Sequence, residues 1–128
     1  MPRGIKQRHV NDCGVCVVAI LAGVSVPYEA ALEAVFPGKK PKQFWTSSKM
    51  IAAAFKRLGL KCDARARPLF GRSYKELTHD AVLLADRDPM TWTWHWLVWD
   101  SKAKRVIDPA KRAKKRFKVT SYLKIYRD

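Results

Sequence analysis

The sequence predicts an α+β fold, with helices first and an antiparallel sheet after them. Three observations predict it. A nearly unbroken apolar run covers Gly14 to Ala22, and Met50, Ile51, Ala54, Phe55 and Leu58 recur at helical spacing. From residue 60 onward the apolar runs become short and turn-bounded, as strands are. Helices grouped before strands are the pattern of an α+β protein, not of a doubly wound sheet. At 128 residues the chain fits one domain, 1–128, and is too short for two.

Each element has a local reason. Gly14 to Ala22 is apolar on all sides, the mark of a helix running through a core, and Gly23 stops it. Pro27 suits the first turn of a second helix, Tyr28 to Val35, with Glu29 near its positive end and Pro37-Gly38 closing it. A basic linker with Pro41 follows, from Lys39 to Trp45. Ser47 or Ser48 can cap a third helix, Lys49 to Leu58, which Gly59 ends. Leu60 to Ala64 reads as a short strand and Ala81 to Ala85 as a buried one. Trp94 to Trp99 and Lys104 to Ile107 are two more, joined by the turn-like Asp100-Ser101-Lys102. Val119 to Tyr126 suits a last strand better than a short helix.

Composition narrows the function classes. Hydrophobic residues at 48% and charged residues at 29% exclude wholesale disorder. Lys and Arg number 26 against 11 Asp and Glu, a net charge of +15, so acidic partners are favoured over basic ones. The longest apolar run, Val15 to Val26, is twelve residues, whereas a membrane-spanning helix needs about 20. Basic residues Arg3, Lys6 and Arg8 precede that run as in an export signal, but polar Asn11-Asp12-Cys13-Gly14 abuts it. Three cysteines are too few, and odd in number, for a disulfide scaffold. The expectation is a reduced, cytoplasmic protein without a membrane partner.

Cys13-Gly14-Val15-Cys16 admits three chemistries. A redox pair of the thioredoxin type needs a strand directly before it, and residues 1–12 offer no apolar one. A zinc site needs four soft ligands, and only scattered Cys62, His9, His79 and His95 are left to complete it. A nucleophile needs a thiolate, which a helix N-terminus favours, and Cys13 sits where that effect acts. Cys16, one turn further in, and Cys62 read as inert packing residues. The nucleophilic reading is cofactor-free and metal-free.

A nucleophile needs a base, and the base an orienting group. If the strands flanking Ser101-Lys102 form a hairpin, residues whose numbers sum to about 203 face each other, and His95 with Asp108 gives that sum. Their Cβ atoms would then lie roughly 5 Å apart, and a slip of two residues would leave them diagonal and within reach. The plain alternative is a core histidine and an Asp-Pro turn starter. His79 reads as an exposed loop residue, and His9 as a weaker candidate base.

Gln7-Arg8-His9-Val10-Asn11-Asp12-Cys13-Gly14, His95-Trp96-Leu97-Val98 and Val106-Ile107-Asp108-Pro109, taken together, resemble a known family. It is the papain-like cysteine peptidases that process double-glycine leader peptides of bacteriocins, here as a stand-alone domain. The resemblance implies a papain-like fold and cleavage of a peptide or isopeptide bond through a covalent thioester. It implies Cys13 as nucleophile, His95 as general acid/base and Asp108 as the residue that orients the imidazole. Gln7, six positions before Cys13, would add a side-chain N–H to an oxyanion hole beside the Cys13 backbone N–H. Val15 and Cys16 stand where family members carry two small residues, so the resemblance bears on chemistry more than on substrate. An acyltransferase would use the same three groups.

Lys111, Arg112, Lys114, Lys115, Arg116 and Lys118 put six cations in eight residues. Such a run is ordinarily a solvated loop; it can also attract an acidic peptide or protein, or grip nucleic acid phosphates. Trp92, Trp94 and Trp96 alternate on the strand face opposite His95, as core filling or as a substrate wall. The competing expectation is therefore a catalytically silent papain-like basic protein that binds nucleic acid or an acidic protein.

Overall fold

The computed structural model describes residues 5–8, 11–23, 26–38, 43–88, 90, 93–110 and 117–126. Among the described residues three helices pack on a six-stranded antiparallel sheet, so the α+β expectation holds. Helix α1 (Cys13–Ala22) buries every residue from Cys13 to Leu21, as an all-apolar helix must. Burying each of its Val, Ile and Leu side chains contributes about 1.5–3 kcal/mol. Gly23, at φ +110°, takes the chain out of the helix. Helix α2 (Tyr28–Val35) turns Tyr28, Ala31, Ala34 and Val35 inward. Helix α3 (Ser48–Arg57) begins at Ser47, whose hydroxyl accepts the Met50 N–H, and buries Ile51, Ala54 and Phe55. Gly59, at φ +85°, closes it.

The strands are β1 (Lys61–Cys62), β2 (Arg67–Pro68), β3 (Ala81–Asp88), β4 (Thr93–Asp100), β5 (Arg105–Ile107) and β6 (Val119–Tyr126), with a 3₁₀ turn at Tyr74–Glu76. The order is β1-β6-β3-β4-β5, with β2 lying beyond β1 along the same edge of β6. The predicted strand at residues 60–64 shrinks to two residues, and β2 and the 3₁₀ turn were not expected. The last segment is a strand, as the sequence favoured.

Alternation along β4 divides the apolar contacts into two layers. Trp96 and Val98 join Val82, Leu123, Ile125 and the helices, with Trp94 packed against them. Leu97 and Trp99 face the other way, onto Ala81, Leu83 and Ala85. Core filling thus describes Trp94 and Trp96; Trp92 lies outside the described residues.

The hairpin register departs from the expected one. Val98 pairs with Ile107, Trp99 with Val106 and Asp100 with Arg105, two residues from the anticipated alignment. The connection is the four residues from Ser101 to Lys104, tightened by the Ala103 N–H donating to Asp100 Oδ1 at 3.3 Å and by Lys104 at φ +51°. His95 and Asp108 are therefore diagonal, not directly opposed.

Candidate active site

The diagonal pair still meets. His95 Nε2 donates to Asp108 Oδ1 at 2.7 Å, a short charge-assisted bond, with the imidazole one-fifth exposed and the carboxylate almost wholly buried. A carboxylate only accepts, so Nε2 carries the proton and Nδ1 keeps its lone pair in the neutral ring. Asp108 Oδ1 also accepts the Ala110 N–H at 2.9 Å, which fixes the carboxylate plane. Its Oδ2 is buried with no hydrogen-bond partner among the described residues.

Cys13 arrives from the other half of the fold. β5 covers β4 only from Val98 to Asp100, so the N–H of Trp96 faces an edge that β5 has left. The first turn of α1 fills that place, and the Trp96 N–H donates to Cys13 Sγ at 3.5 Å. The sulfur is thus held one residue along the strand from His95. Gln7 is buried, and its backbone N–H donates to the Pro109 carbonyl at 2.7 Å. Lys6 Nζ donates to the carbonyls of Asp108 and Ala110 at 3.1 and 3.3 Å. The Gln7 segment, the Asp108 turn, His95 and the start of α1 therefore share one neighbourhood.

Electrostatics correct one expectation. Burial, not the helix terminus, governs the Cys13 thiol. At 3% exposure desolvation pushes it up to about 11, while the Trp96 and Gly14 N–H groups pull downward and the Asp12 carboxylate adds to the rise. Desolvation also raises the Cys16 thiol, helped by Asp12 and Cys13. It lifts Cys62 to about 12, with Asp63 adding to it. Both read as the packing residues the sequence suggested.

Several neighbours were given no role of their own by the sequence. Asp12 is fully buried; its Oδ2 accepts the Arg8 N–H at 3.0 Å and the Tyr28 hydroxyl at 2.6 Å. The guanidinium of Arg8 lies 4.2 Å from the Tyr28 ring centroid and pairs with Glu29 at 2.8 Å. Asn11 Oδ1 accepts the Phe44 N–H, and Thr46 accepts the Trp96 indole N–H on its carbonyl at 3.3 Å. Segment 43–47 thereby lies across the start of α1, so close that a Cβ on Gly14 would fall 1.9 Å from Thr46 Oγ1. Trp45 and Trp94 pack with centroids 5.5 Å apart.

His79 is half-buried, not exposed: it stacks near Tyr122 and its Nδ1 lies 3.2 Å from the Asp80 carbonyl. His9 and Lys111, Arg112, Lys114, Lys115 and Arg116 lie outside the described residues, while Lys118 leads into β6. Among the described residues no cluster of three or more His, Cys, Asp or Glu could hold a metal, and no helix is long and apolar enough to cross a membrane. All three cysteines are free thiols. Neither a scan of the chain against protein-family models nor a search of curated proteins finds a match.

Proposed function

We propose that the protein is a papain-like cysteine peptidase that cleaves a peptide or isopeptide bond through Cys13, His95 and Asp108. The observation that carries the reading is the 2.7 Å bond from His95 Nε2 to Asp108, one residue from the strand N–H that holds Cys13 Sγ. With Nε2 committed to Asp108, Nδ1 takes the Cys13 proton as sulfur attacks the substrate carbonyl. The carbonyl oxygen becomes an oxyanion at the start of α1, where helix-terminal N–H groups stabilise negative charge. The intermediate collapses, the C–N bond breaks, and His95 returns the proton to the leaving amine. Water then attacks the thioester, giving up a proton to His95, and frees Cys13 and the carboxylic acid.

A thiol-reactive peptide electrophile tests this directly. The expected adduct is on Cys13, with the rate falling about 10²–10⁴-fold in His95→Ala, the usual contribution of a general base. Equal labelling of Cys13, Cys16 and Cys62, unaffected by His95→Ala, would overturn the assignment. One observation favours a second reading, a papain-like basic protein without catalysis: Cys13 is 3% exposed and its thiol is pushed up to about 11. Binding of an acidic protein or nucleic acid that survives Cys13→Ala, without any Cys13 adduct, would favour it.

A further inference from the structure

A groove of about 540 Å³ runs between α3 and β1, away from His95 and Cys13, and is lined by Lys49, Ala52, Ala53, Lys56, Leu60, Lys61, Cys62 and Ala64. The volume is in the range of ligand-binding clefts. Three features describe what it would accept. Its floor is apolar, made by Ala52 and Ala53 on one side and Leu60 and Cys62 on the other. Among the described residues Lys49 and Lys56 rim it, no acid lines it, and neither lysine has an ion-pair partner. Lys61 contributes to the lining, but its ammonium lies 4.9 Å from the Tyr126 ring, on the sheet face opposite Cys62.

The third feature is the strand edge. β1 is the outermost strand on its side of the sheet order. The Asp63 N–H donates to the Lys124 carbonyl on β6, so by alternation Cys62 turns its own N–H and C=O outward. An extended chain laid there can exchange backbone hydrogen bonds with Cys62 while its side chains alternate between floor and rim.

We propose that this groove docks an extended acidic peptide segment of a partner protein, with apolar side chains on Ala52, Ala53 and Leu60 and carboxylates at Lys49 and Lys56. The two rim lysines select anionic character, and the outward-turned N–H and C=O of Cys62 select a peptide backbone. Nucleic acid fits less well, because among the described residues the lining contains no aromatic ring on which a base could stack. The proposal is independent of the catalytic reading.

The test is fluorescence polarisation of the full chain with a labelled eight-residue peptide of alternating glutamate and leucine. Two groove variants are used: Ala53→Trp fills the floor without changing charge, and Lys56→Glu reverses one rim charge at an exposed site. Each is expected to weaken binding about tenfold or more, while Lys102→Glu in the β4–β5 turn leaves it within twofold. Equal weakening by Lys56→Glu and Lys102→Glu, or no effect of Ala53→Trp in a folded protein, would overturn the proposal. So would tighter binding of a labelled oligo-dT that both groove variants abolish.

Discussion

Cys13 and Cys62 are thiols that the fold holds neutral, at about 11 and about 12 against an ordinary value of 9.0, chiefly because burial penalises the thiolate. An acid whose native pKa is raised binds its proton more tightly folded than unfolded. Its contribution to stability is complete below pH 9 and is lost as the unfolded chain ionises above that, up to the native value. Urea unfolding should therefore give a free energy that falls from pH 9 to pH 11, and Cys13→Ala should flatten part of that slope. A stability that stayed level across the interval would contradict the burial argument. At this scale the sequence was partly legible. Cys13, His95 and Asp108 stand in motifs whose spacing carries chemistry. Asp12 shares the Cys13 motif, but its contacts, like those of Thr46, were not legible, because their partners, Tyr28 and the start of α1, are brought to them only by folding.

Among the elements, segment 43–47 crosses α1 so closely that position 14 has no room for a Cβ. Gly14 is required there by the approach of Thr46, not by its backbone conformation, so Gly14→Ala forces Cβ onto Oγ1. The expected cost is about 1–3 kcal/mol, as for other overpacked sites. Thermal melting should register it, and Thr46→Gly in the same chain should restore most of the loss by removing the clashing side chain. A single variant as stable as the parent would show that segment 43–47 shifts freely. The helices were read nearly to the residue because apolar periodicity and glycine stops are local signals. The hairpin register was not. It turns on Asp100 accepting the Ala103 N–H and on the left-handed Lys104, which together lengthen the connection to four residues. β2 escaped because Arg67 and Pro68 are exposed and carry no alternation.

For the molecule as a whole, 26 basic against 11 acidic residues leave a charge of +15 that repels itself in the compact state. Raising sodium chloride from about 50 to about 500 mM shortens the screening length severalfold, so the melting temperature should rise. A flat or falling melting temperature would mean that the described ion pairs outweigh the repulsion. The sheet order also has a bearing on how the chain is made. β6 lies between β1 and β3 although it is the last described strand in sequence, and among the described residues β2 pairs with it alone. On the ribosome the β3-β4-β5 meander can assemble as soon as it emerges, but β1 and β2 have no partner until residue 126 has left the exit tunnel. Through most of synthesis the wholly apolar α1 faces only part of the sheet that will cover it, and nascent-chain chaperones have that interval in which to bind it.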